Sequence, residues 1–253
     1  MLDIFNLKGK VAFVTGGSKG LGKAMARGFA ECGADILISS RHEDELKPAL
    51  AEILEGTGRR GAYFVADMNR RDDVRRLAHA ALEKFGRIDV LVNNAGTNVP
   101  QPIDEIKDED WDRVMEINLN SIMLLTRAIV PQMKSRKWGR IIHISSIMGY
   151  VSNNGRNVYS ATKAALIGMA RASALDLGAH GITVNCIAPG PFLTDLPGKL
   201  LTQAEKDRMA NMTAMNRWGD PKELVGPALL LATDAGSYIT GETIVVDGGY
   251  LCR

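Results

Sequence analysis

The fold is decided by residues 10–22, which read KVAFVTGGSKGLG. A short apolar, β-branched run bounded by glycines is typical of a strand buried on both faces of a parallel sheet. The glycines that follow let the backbone approach a ligand closely, and the helical pattern up to about Cys32 offers unpaired N–H groups to an anion. This stretch therefore predicts a strand, a phosphate-binding turn and a helix, although glycines also simply close tight turns.

The alternation of strand and helix continues along the rest of the chain. After the first strand, apolar runs predict strands within residues 36–39, 62–66, 88–93, 140–145, 183–190 and 242–247. Helical periodicity with short connections between these runs predicts a parallel, doubly wound α/β sheet with right-handed crossovers. Because no linker or low-complexity stretch interrupts the pattern, we expect one domain over residues 1–253.

The composition excludes several classes of protein. With 253 residues, 45% hydrophobic and 24% charged, the chain is typical of a globular protein with a substantial core. The net charge is +2, and the basic residues are interspersed with acidic ones and form no basic stripe, so we expect no nucleic-acid partner. The sequence has neither a signal-peptide pattern nor an apolar run of about 18 residues, which predicts a cytoplasmic protein without a membrane partner.

The cysteines point to the same compartment. Cys32, Cys186 and Cys252 are odd in number, far apart in the sequence and without C-x-x-C spacing. This pattern argues against both a disulfide framework and a zinc site. We therefore expect a reducing compartment and no metal site.

The residues suited to acid–base chemistry lie between Ser146 and Lys163. Helical periodicity from about residue 157 to residue 179 puts Tyr159 and Lys163 one turn apart on one face. An ammonium group at that spacing favours the phenolate, so we expect Lys163 to lower the pKa of Tyr159 and to allow proton transfer near pH 7. The same spacing also arises by chance, but the serine 13 positions upstream and the glycine turn favour the chemical interpretation.

The end of the second strand bears on the nucleotide. An acidic residue there takes the ribose hydroxyls of NAD, whereas an arginine accommodates the 2′-phosphate of NADP. Here the strand ends in Ser40 and Arg41, while Asp35 lies at its other end. Lys19, inside the glycine turn, adds a second positive charge. These residues favour NADP(H) over NAD(H), although Arg41 could equally be a surface arginine before an acidic helix start.

Three further features keep two interpretations each. Asp67 follows the third strand and could cap the next helix or meet the adenine, two roles that are compatible. Asn118 lies inside a long helix predicted over residues 110–137, where a buried amide needs partners; a kink is the simpler account, and Asn120 could be the solvent-facing asparagine. The segment at about residues 191–217 contains several methionines, which suit either a mobile lid over the substrate or core filling.

Several motifs together resemble the short-chain dehydrogenase/reductase family, nearly from end to end. They are TGGSKGLG at 15–22, NNAG at 93–96, Asn118, Ser146, YSATK at 159–163, Pro-Gly at 189–190 with Thr194, and VDGG at 246–249. The resemblance implies a single Rossmann-type domain with a seven-stranded parallel sheet flanked by helices. It also implies a homo-oligomer, either a dimer or a tetramer, that acts on a small carbonyl or alcohol substrate.

The resemblance implies roles for individual residues. Tyr159 would be the general acid/base, Lys163 would hold the nicotinamide ribose and lower the pKa of the phenol, Ser146 would polarise the carbonyl, and Asn118 would hold a water linked to Lys163. Ser145 competes with Ser146, which we prefer because the family keeps 13 positions between serine and tyrosine. Residues expected at the cofactor are Gly16, Ser18, Lys19, Leu21, Ser40, Arg41, Asp67, Met68, Asn94, Gly96, Tyr159, Lys163, Pro189, Gly190 and Thr194.

The expected function is therefore an NADP(H)-dependent oxidoreductase that interconverts a ketone and a secondary alcohol. Within the family, the chain is similar to 3-oxoacyl-acyl-carrier-protein reductases and to gluconate 5-dehydrogenase-like enzymes, which suggests a 3-oxoacyl thioester or a keto-sugar or sugar acid. Residues 97–102, TNVPQP, lack the basic pair and His-Pro of the gluconate enzymes. Asn153, Asn154, Arg156 and Asn157 indicate either a polar pocket or a solvent loop. The alternative function is a non-catalytic nucleotide-sensing module.

Overall fold

The computed structural model describes residues 2–194 and 202–252. Its strands are β1 (Val11–Thr15), β2 (Asp35–Ser40), β3 (Gly61–Val65), β4 (Val90–Asn93), β5 (Gly139–Ile144), β6 (Ile182–Pro189) and β7 (Thr243–Val246). In this part of the chain they form one seven-stranded sheet in the order β3-β2-β1-β4-β5-β6-β7, with every neighbouring pair parallel. The predicted fold class is confirmed, with strand boundaries within about two residues of the expected ones.

Helices cover both faces of the sheet. They are α1 (Gly20–Glu31), α2 (Glu43–Leu54), α3 (Arg71–Phe85), α4 (Asp108–Met115), α5 (Ser121–Arg136), α6 (Asn157–Leu177), α7 (Gln203–Asn211) and α8 (Val225–Ala232). Successive residues of a strand point to opposite faces. In β1, Phe13 packs with α3, α5 and α6, whereas Val14 packs with α1, α2 and α8. The two cores explain why the strands read as continuous apolar runs.

The strand order reverses at the centre of the sheet. β1 pairs with β2 on one side and with β4 on the other, so the chain winds outward in both directions from these central strands. In an open sheet of this kind, ligands bind beyond the carboxyl ends of the strands, next to the point of reversal. We call this side of the sheet the carboxyl edge and the opposite side the amino edge.

The long helix predicted over residues 110–137 is interrupted. It is α-helical in α4 and α5, but Glu116–Asn120 between them form a π-helical turn that contains Asn118. A π turn accommodates one extra residue without ending the helix, and hydrophobic periodicity hardly reveals it. Pro131 lies within α5. The asparagine that needed an explanation therefore lies at a real irregularity of the helix.

The lid predicted at about residues 191–217 is only partly described. Residues 195–201 lie outside the described residues, and α7 follows them with a capping box made by Thr202 and Glu205. Met209 and Met212 are partly buried and Met215 is 59% exposed, so complete burial in a core does not account for these methionines. Among the described helices, none has the length and apolar character needed to cross a membrane.

Candidate active site

The residues predicted to form the site gather along the carboxyl edge. The glycine turn follows β1, Arg41 follows β2, and Asp67 follows β3 after one residue. Asn94 and Gly96 follow β4, Ser146 follows β5, and Gly190 follows β6. Parallel strands bring these six segments to one edge, although they are spread over 175 positions of the sequence, from Gly16 to Gly190.

Thr15 and Asn94 join the glycine turn to the end of β4. The Thr15 hydroxyl oxygen accepts hydrogen bonds from the backbone N–H groups of Asn94 at 3.0 Å and Ala95 at 3.1 Å. The Asn94 side-chain Nδ2 donates to the backbone oxygens of Thr15 at 2.9 Å and Gly16 at 3.1 Å. Sequence reasoning assigned Thr15 no site role, yet its hydroxyl connects two strand ends. The side chain of Asn94 therefore stabilises the conformation of the glycine turn.

The glycines of the turn leave a cradle that a side chain would fill. Gly16 and Gly20 have positive φ angles of 63° and 52°, which glycine adopts at little energetic cost. A Cβ atom on Gly22 would lie 2.4 Å from the Gly16 oxygen, and one on Gly20 would lie 3.1 Å from Thr194 Cγ2. The first helical turn of α1 begins at this point. The residues therefore fit a dinucleotide phosphate, as the sequence pattern predicted.

Lys19 and Arg41 differ in their surroundings. Lys19 Nζ lies 2.6 Å from Glu45 Oε1, so this lysine forms an ion pair with the first turn of α2. The hydrogen bond from Lys19 holds the pKa of Glu45 below its usual value, although burial acts in the opposite direction. Arg41 is exposed and takes part in no ion pair of residues 2–194 and 202–252. The side-chain hydroxyl of Ser40 makes turn contacts with His42, at 3.4 Å.

Asp67 does not cap α3, so one of its two interpretations is wrong. Its carboxylate accepts from the backbone N–H of Asn69 at 3.0 Å, which closes a local turn, and the residue before α3 is Arg70 without a side-chain cap. The buried Met68 packs in the core beside it. The adenine interpretation of Asp67 stays a prediction.

Lys163 is the buried cation of the site. It lies on α6, only 4% of its surface is exposed, and its Nζ donates to the backbone oxygen of Ile144 at 2.7 Å. Removal of the ammonium from water lowers the pKa of Lys163 to about 8. The amine therefore carries its charge at neutral pH and loses it in mildly alkaline solution.

Tyr159 lies one turn before Lys163 on α6, as predicted, with the Lys163 amine 5.5 Å from the centre of its ring. Burial is the largest influence on the phenol and raises the pKa of Tyr159; the Ser146 hydroxyl and the charge of Arg156 act to lower it. Lys163 is not among the groups that shift this pKa. The expectation that Lys163 lowers it is therefore wrong for this structure, because burial of the phenol dominates and the amine loses its own charge near pH 8, before the phenol titrates.

Two adjacent serines face different partners. Ser145 is buried, and its hydroxyl donates to the backbone oxygen of Lys163 at 2.7 Å. Ser146 accepts from the backbone N–H of Met148 at 3.1 Å and interacts with the Tyr159 phenol. Ser145 is thus committed to anchoring α6. The geometry favours Ser146 for contact with a substrate, as the spacing to the tyrosine suggested.

Asn118 is fully buried, and both N–H groups of its amide have hydrogen-bond acceptors. Its Oδ1 accepts from the Thr97 backbone N–H at 2.8 Å, and its Nδ2 donates to the Thr97 oxygen at 2.9 Å and to Thr162 Oγ1 at 3.2 Å. A Cβ atom on Gly96 would lie 3.4 Å from Asn118 Oδ1 and 3.6 Å from Lys163 Nζ. The glycine therefore keeps space beside the lysine. The side chain of Asn118 fixes the loop after β4, and a water could be held by the second lone pair of Oδ1 or by the backbone of this residue.

A second buried polar pair escaped sequence reasoning. Asn93 Nδ2 donates to His143 Nδ1 at 3.0 Å between β4 and β5, and burial, assisted by the charge of Lys163, lowers the pKa of His143 to about 4. Asn93 Oδ1 and His143 Nε2 have no hydrogen-bond partner among the described residues. An asparagine and a histidine within two apolar runs were the available signal, because buried polar groups need partners.

The end of β6 completes the edge. The Gly190 N–H donates to the Val246 oxygen at 2.9 Å, and a Cβ atom on Gly190 would lie 2.7 Å from Asp247. Thr194 lies over Gly20, so the segment after Pro189 closes on the glycine turn. Among the residues that the structure describes, no group of three or more His, Cys, Asp or Glu side chains could hold a metal ion.

Comparisons with known proteins agree with this geometry. A family model described as enoyl-(acyl carrier protein) reductase matches residues 16–251. A 3-oxoacyl-[acyl-carrier-protein] reductase of Thermotoga maritima is 36% identical over 96% of this chain and 98% of its own length. Gluconate 5-dehydrogenase of Gluconobacter oxydans is 35% identical over 98% of this chain and 96% of its own. The crystal structure of a gluconate 5-dehydrogenase from Burkholderia cenocepacia in complex with NADP and tartrate has a TM-score of 0.93 and 34% identity, and covers 100% of this chain and 99% of that chain.

Proposed function

The chain belongs to the short-chain dehydrogenase/reductase family and is an oxidoreductase of that family, and from this premise we propose that it uses NADP(H) to interconvert a ketone and a secondary alcohol. Tyr159 acts as the general acid/base, with Ser146, Lys163 and Asn118 as the other members of the catalytic set. The observation that carries the proposal is the meeting of a phenol, a hydroxyl and a buried ammonium beside the glycine cradle at the carboxyl edge.

The chain's own residues supply the proton chemistry. The nicotinamide, when bound, supplies or accepts the hydride. The phenol of Tyr159, whose pKa burial raises, carries its proton at neutral pH and would donate it to the oxygen of a ketone; the Ser146 hydroxyl and the charge of Arg156 assist this donation because they act to lower the pKa. Ser146 donates a hydrogen bond to the same oxygen. Lys163 stays charged below about pH 8 and holds the ribose, while Asn118 fixes the loop against which the cofactor lies.

The cofactor preference is a separate part of the proposal. The phosphates would lie on the N–H groups at Gly16, Ser18 and Gly20, and Arg41 would bind the 2′-phosphate of NADP. Exposure of Arg41 without an ion-pair partner among the described residues supports this role, as does the NADP in the Burkholderia cenocepacia enzyme. Lys19 would assist, although its ion pair with Glu45 must then be shared. Leu21, Ser40, Asp67, Met68, Asn94, Gly96, Pro189, Gly190 and Thr194 complete the proposed contacts.

The substrate and setting follow from the relatives and the sequence. One relative is named for a 3-oxoacyl thioester carrier and the other for gluconate, so we propose a 3-oxoacyl thioester or a keto-sugar or sugar acid as substrate. We further propose a single domain whose segment at about residues 191–217 closes over the substrate, and a homotetramer or homodimer in the cytoplasm. The three free cysteines suit a reducing compartment.

The central experiment replaces Tyr159 with Phe. General acid–base catalysis contributes on the order of 10²–10⁴ in rate, so kcat/KM for ketone reduction should fall by that factor while NADPH affinity, measured by fluorescence titration, stays within twofold. Tyr150→Phe, a change at an exposed tyrosine of the preceding loop, is the matched control and should leave both quantities unchanged. An unaltered rate in Tyr159→Phe would exclude this mechanism. Tight NADPH binding by a wild-type chain that reduces no ketone would favour the nucleotide-sensing module.

The cofactor preference has its own experiment. Lys19→Gln with Arg41→Gln should weaken NADPH by at least about 10- to 100-fold, because the bond from Arg41 to a charged phosphate is alone worth roughly 1.5–3 kcal/mol, and should leave NADH within twofold. Equal losses for the two nucleotides would contradict the assignment of Arg41 to the 2′-phosphate.

A further inference from the structure

Arg156 is a cation of the site region that the proposed mechanism does not use. It is the residue immediately before α6 and lies three positions before Tyr159. The side chain is partly buried, and within residues 2–194 and 202–252 it makes neither an ion pair nor a side-chain hydrogen bond. A partly buried guanidinium usually has a partner, because its five N–H donors are costly to leave unsatisfied.

The backbone around Arg156 is held firmly. Gln101 and Arg156 form a parallel bridge, in which the Gln101 N–H donates to the Gly155 oxygen at 3.0 Å. Asn157 Nδ2 donates to the Gln101 oxygen at 3.4 Å, and the Arg156 N–H donates to the Asn153 oxygen at 3.1 Å. Two loops, one after β4 and one before α6, therefore fix the position from which the guanidinium extends. The asparagine-rich segment is thus a structured wall of the site.

The charge of Arg156 acts on the reacting group. It is the cation that lowers the pKa of Tyr159, against the larger effect of burial, so the guanidinium lies within electrostatic reach of the phenol. The nearby carboxylate of Asp110 is already bound by Gln101 Nε2 at 2.8 Å. Asn98, on the same loop as Gln101, has a buried amide oxygen without a hydrogen-bond donor among the described residues. The loop before α6 thus brings a positive charge to the reacting phenol.

We propose that Arg156 binds the carboxylate of the substrate and thereby selects a hydroxy acid or keto acid over a neutral thioester. The inference rests on the proposed function, since it uses the same reaction at Tyr159. Arg156 immediately precedes α6 and Tyr159 lies in the first turn of that helix, so a short carbon chain can reach from the guanidinium to the phenol. A planar guanidinium matches a carboxylate with two parallel hydrogen bonds.

The experiment compares acids with their own neutral amides. Wild type, Arg156→Met and Arg156→Lys are assayed with NADP for oxidation of hydroxy acids of three to six carbons, among them D-gluconate, and of the corresponding amides. Acetoacetyl-N-acetylcysteamine, reduced with NADPH, represents the neutral thioester. Arg171→Met is the matched control, because Arg171 is exposed on the same helix.

The inference expects a loss confined to the acids. In Arg156→Met, kcat/KM for the best acid should fall about 100-fold, while its amide and the thioester stay within threefold and Arg171→Met matches wild type. Arg156→Lys should be intermediate, since it keeps the charge and loses the paired geometry. An equal loss for acid and amide, or no loss for the acid, would overturn the inference.

The outcomes separate this inference from the proposed function. A wild-type protein that reduces the thioester and ignores every acid would leave the proposed function standing and overturn the inference alone. A wild-type protein inactive on all three classes with either nucleotide would overturn both. A binding measurement gives a readout independent of turnover: calorimetry with tartrate and NADP should show at least tenfold weaker tartrate binding by Arg156→Met than by Arg171→Met, and equal affinities would contradict the inference.

Discussion

The two edges of the sheet handle charge in opposite ways. At the amino edge, the fully buried Asp89 accepts from the Val11 N–H at 2.8 Å and lies 3.2 Å from an Arg136 nitrogen and 2.5 Å from an Arg87 nitrogen. At the carboxyl edge, the hydrogen-bond acceptor of the nearly buried Lys163 within residues 2–194 and 202–252 is the uncharged oxygen of Ile144.

Because of this difference, buried charges at the two edges should affect different properties of the protein, namely its stability and its turnover. A buried charge with paired partners resists removal of any one of them, because the partner left behind would be buried and unpaired. A buried charge without an opposite charge favours its neutral form, and the lowered pKa of Lys163 shows this preference. We therefore expect substitutions at the amino edge to change the free energy of unfolding, and substitutions at the carboxyl edge to change turnover.

The largest effect should come from Lys163→Met. Loss of the ammonium beside the phenol should lower kcat/KM by about 10³, or roughly 4 kcal/mol in transition-state stabilisation. The free energy of unfolding, measured in urea, should stay within about 1 kcal/mol or rise, since the variant no longer buries an unpaired charge. A large loss of stability would break the comparison between the edges.

Lys10→Met provides the matched control at the amino edge. Lys10 Nζ lies 3.6 Å from the centre of the Trp138 ring, whose other neighbour is the Arg140 guanidinium at 4.4 Å. The substitution should cost about 0.5–1 kcal/mol of stability and leave kcat/KM unchanged.

The next effect is expected for Asp89→Asn. The amide keeps the shape of the side chain but leaves Arg87 and Arg136 without their buried carboxylate, so the free energy of unfolding should fall by about 3 kcal/mol. Activity per folded molecule should match wild type. Asp72→Asn is the control: this carboxylate also pairs with an arginine, Arg75, but both side chains are exposed, and its removal should cost less than about 1 kcal/mol. Equal losses in the two variants would contradict the role of burial.

The lowered pKa of His143 predicts how the free energy of unfolding falls in acid. Its folded pKa of about 4 lies below its ordinary value of 6.5, so between these values the unfolded chain binds more protons than the folded chain. The contribution of His143 to stability should therefore be fully present above pH 6.5, and the free energy of unfolding should fall by about 3 kcal/mol as the pH drops to 4. His143→Gln should flatten this fall in urea titrations at several pH values. A slope unchanged by the substitution would show that other groups carry the acid sensitivity.

The sequence predicted those features that local pattern encodes. The apolar run of β1, the glycines after it and the Tyr159–Lys163 turn of α6 all depend on neighbours within a few positions, and the structure has them where expected. The π-helical turn at Asn118 was less accessible, because one extra residue per turn barely disturbs the apolar spacing.

Features that depend on burial were inaccessible from the sequence. The pKa of Tyr159 shifts upward because the fold removes the phenol from water, and no spacing of residues reports how much surface is removed. The same holds for Thr15, whose hydroxyl serves backbone groups 79 and 80 positions away. Resemblance to a family supplied the roles of Ser146 and Asn118, which pattern alone left open.

The smallest effects are expected for two adjacent residues, Ser145 and Ser146, which test the same distinction between stability and turnover. Ser146→Ala should lower kcat/KM about 10²-fold, because the hydroxyl that faces the phenol stabilises charge on the substrate oxygen, and should leave stability within about 0.5 kcal/mol. Ser145→Ala should do the reverse. It removes a buried hydrogen bond to the Lys163 oxygen, which is worth about 1 kcal/mol of unfolding free energy, while turnover changes less than threefold. If Ser145→Ala were the variant that lost turnover, Ser145 would be the serine that contacts the substrate, and the assignment of that contact to Ser146 would be wrong.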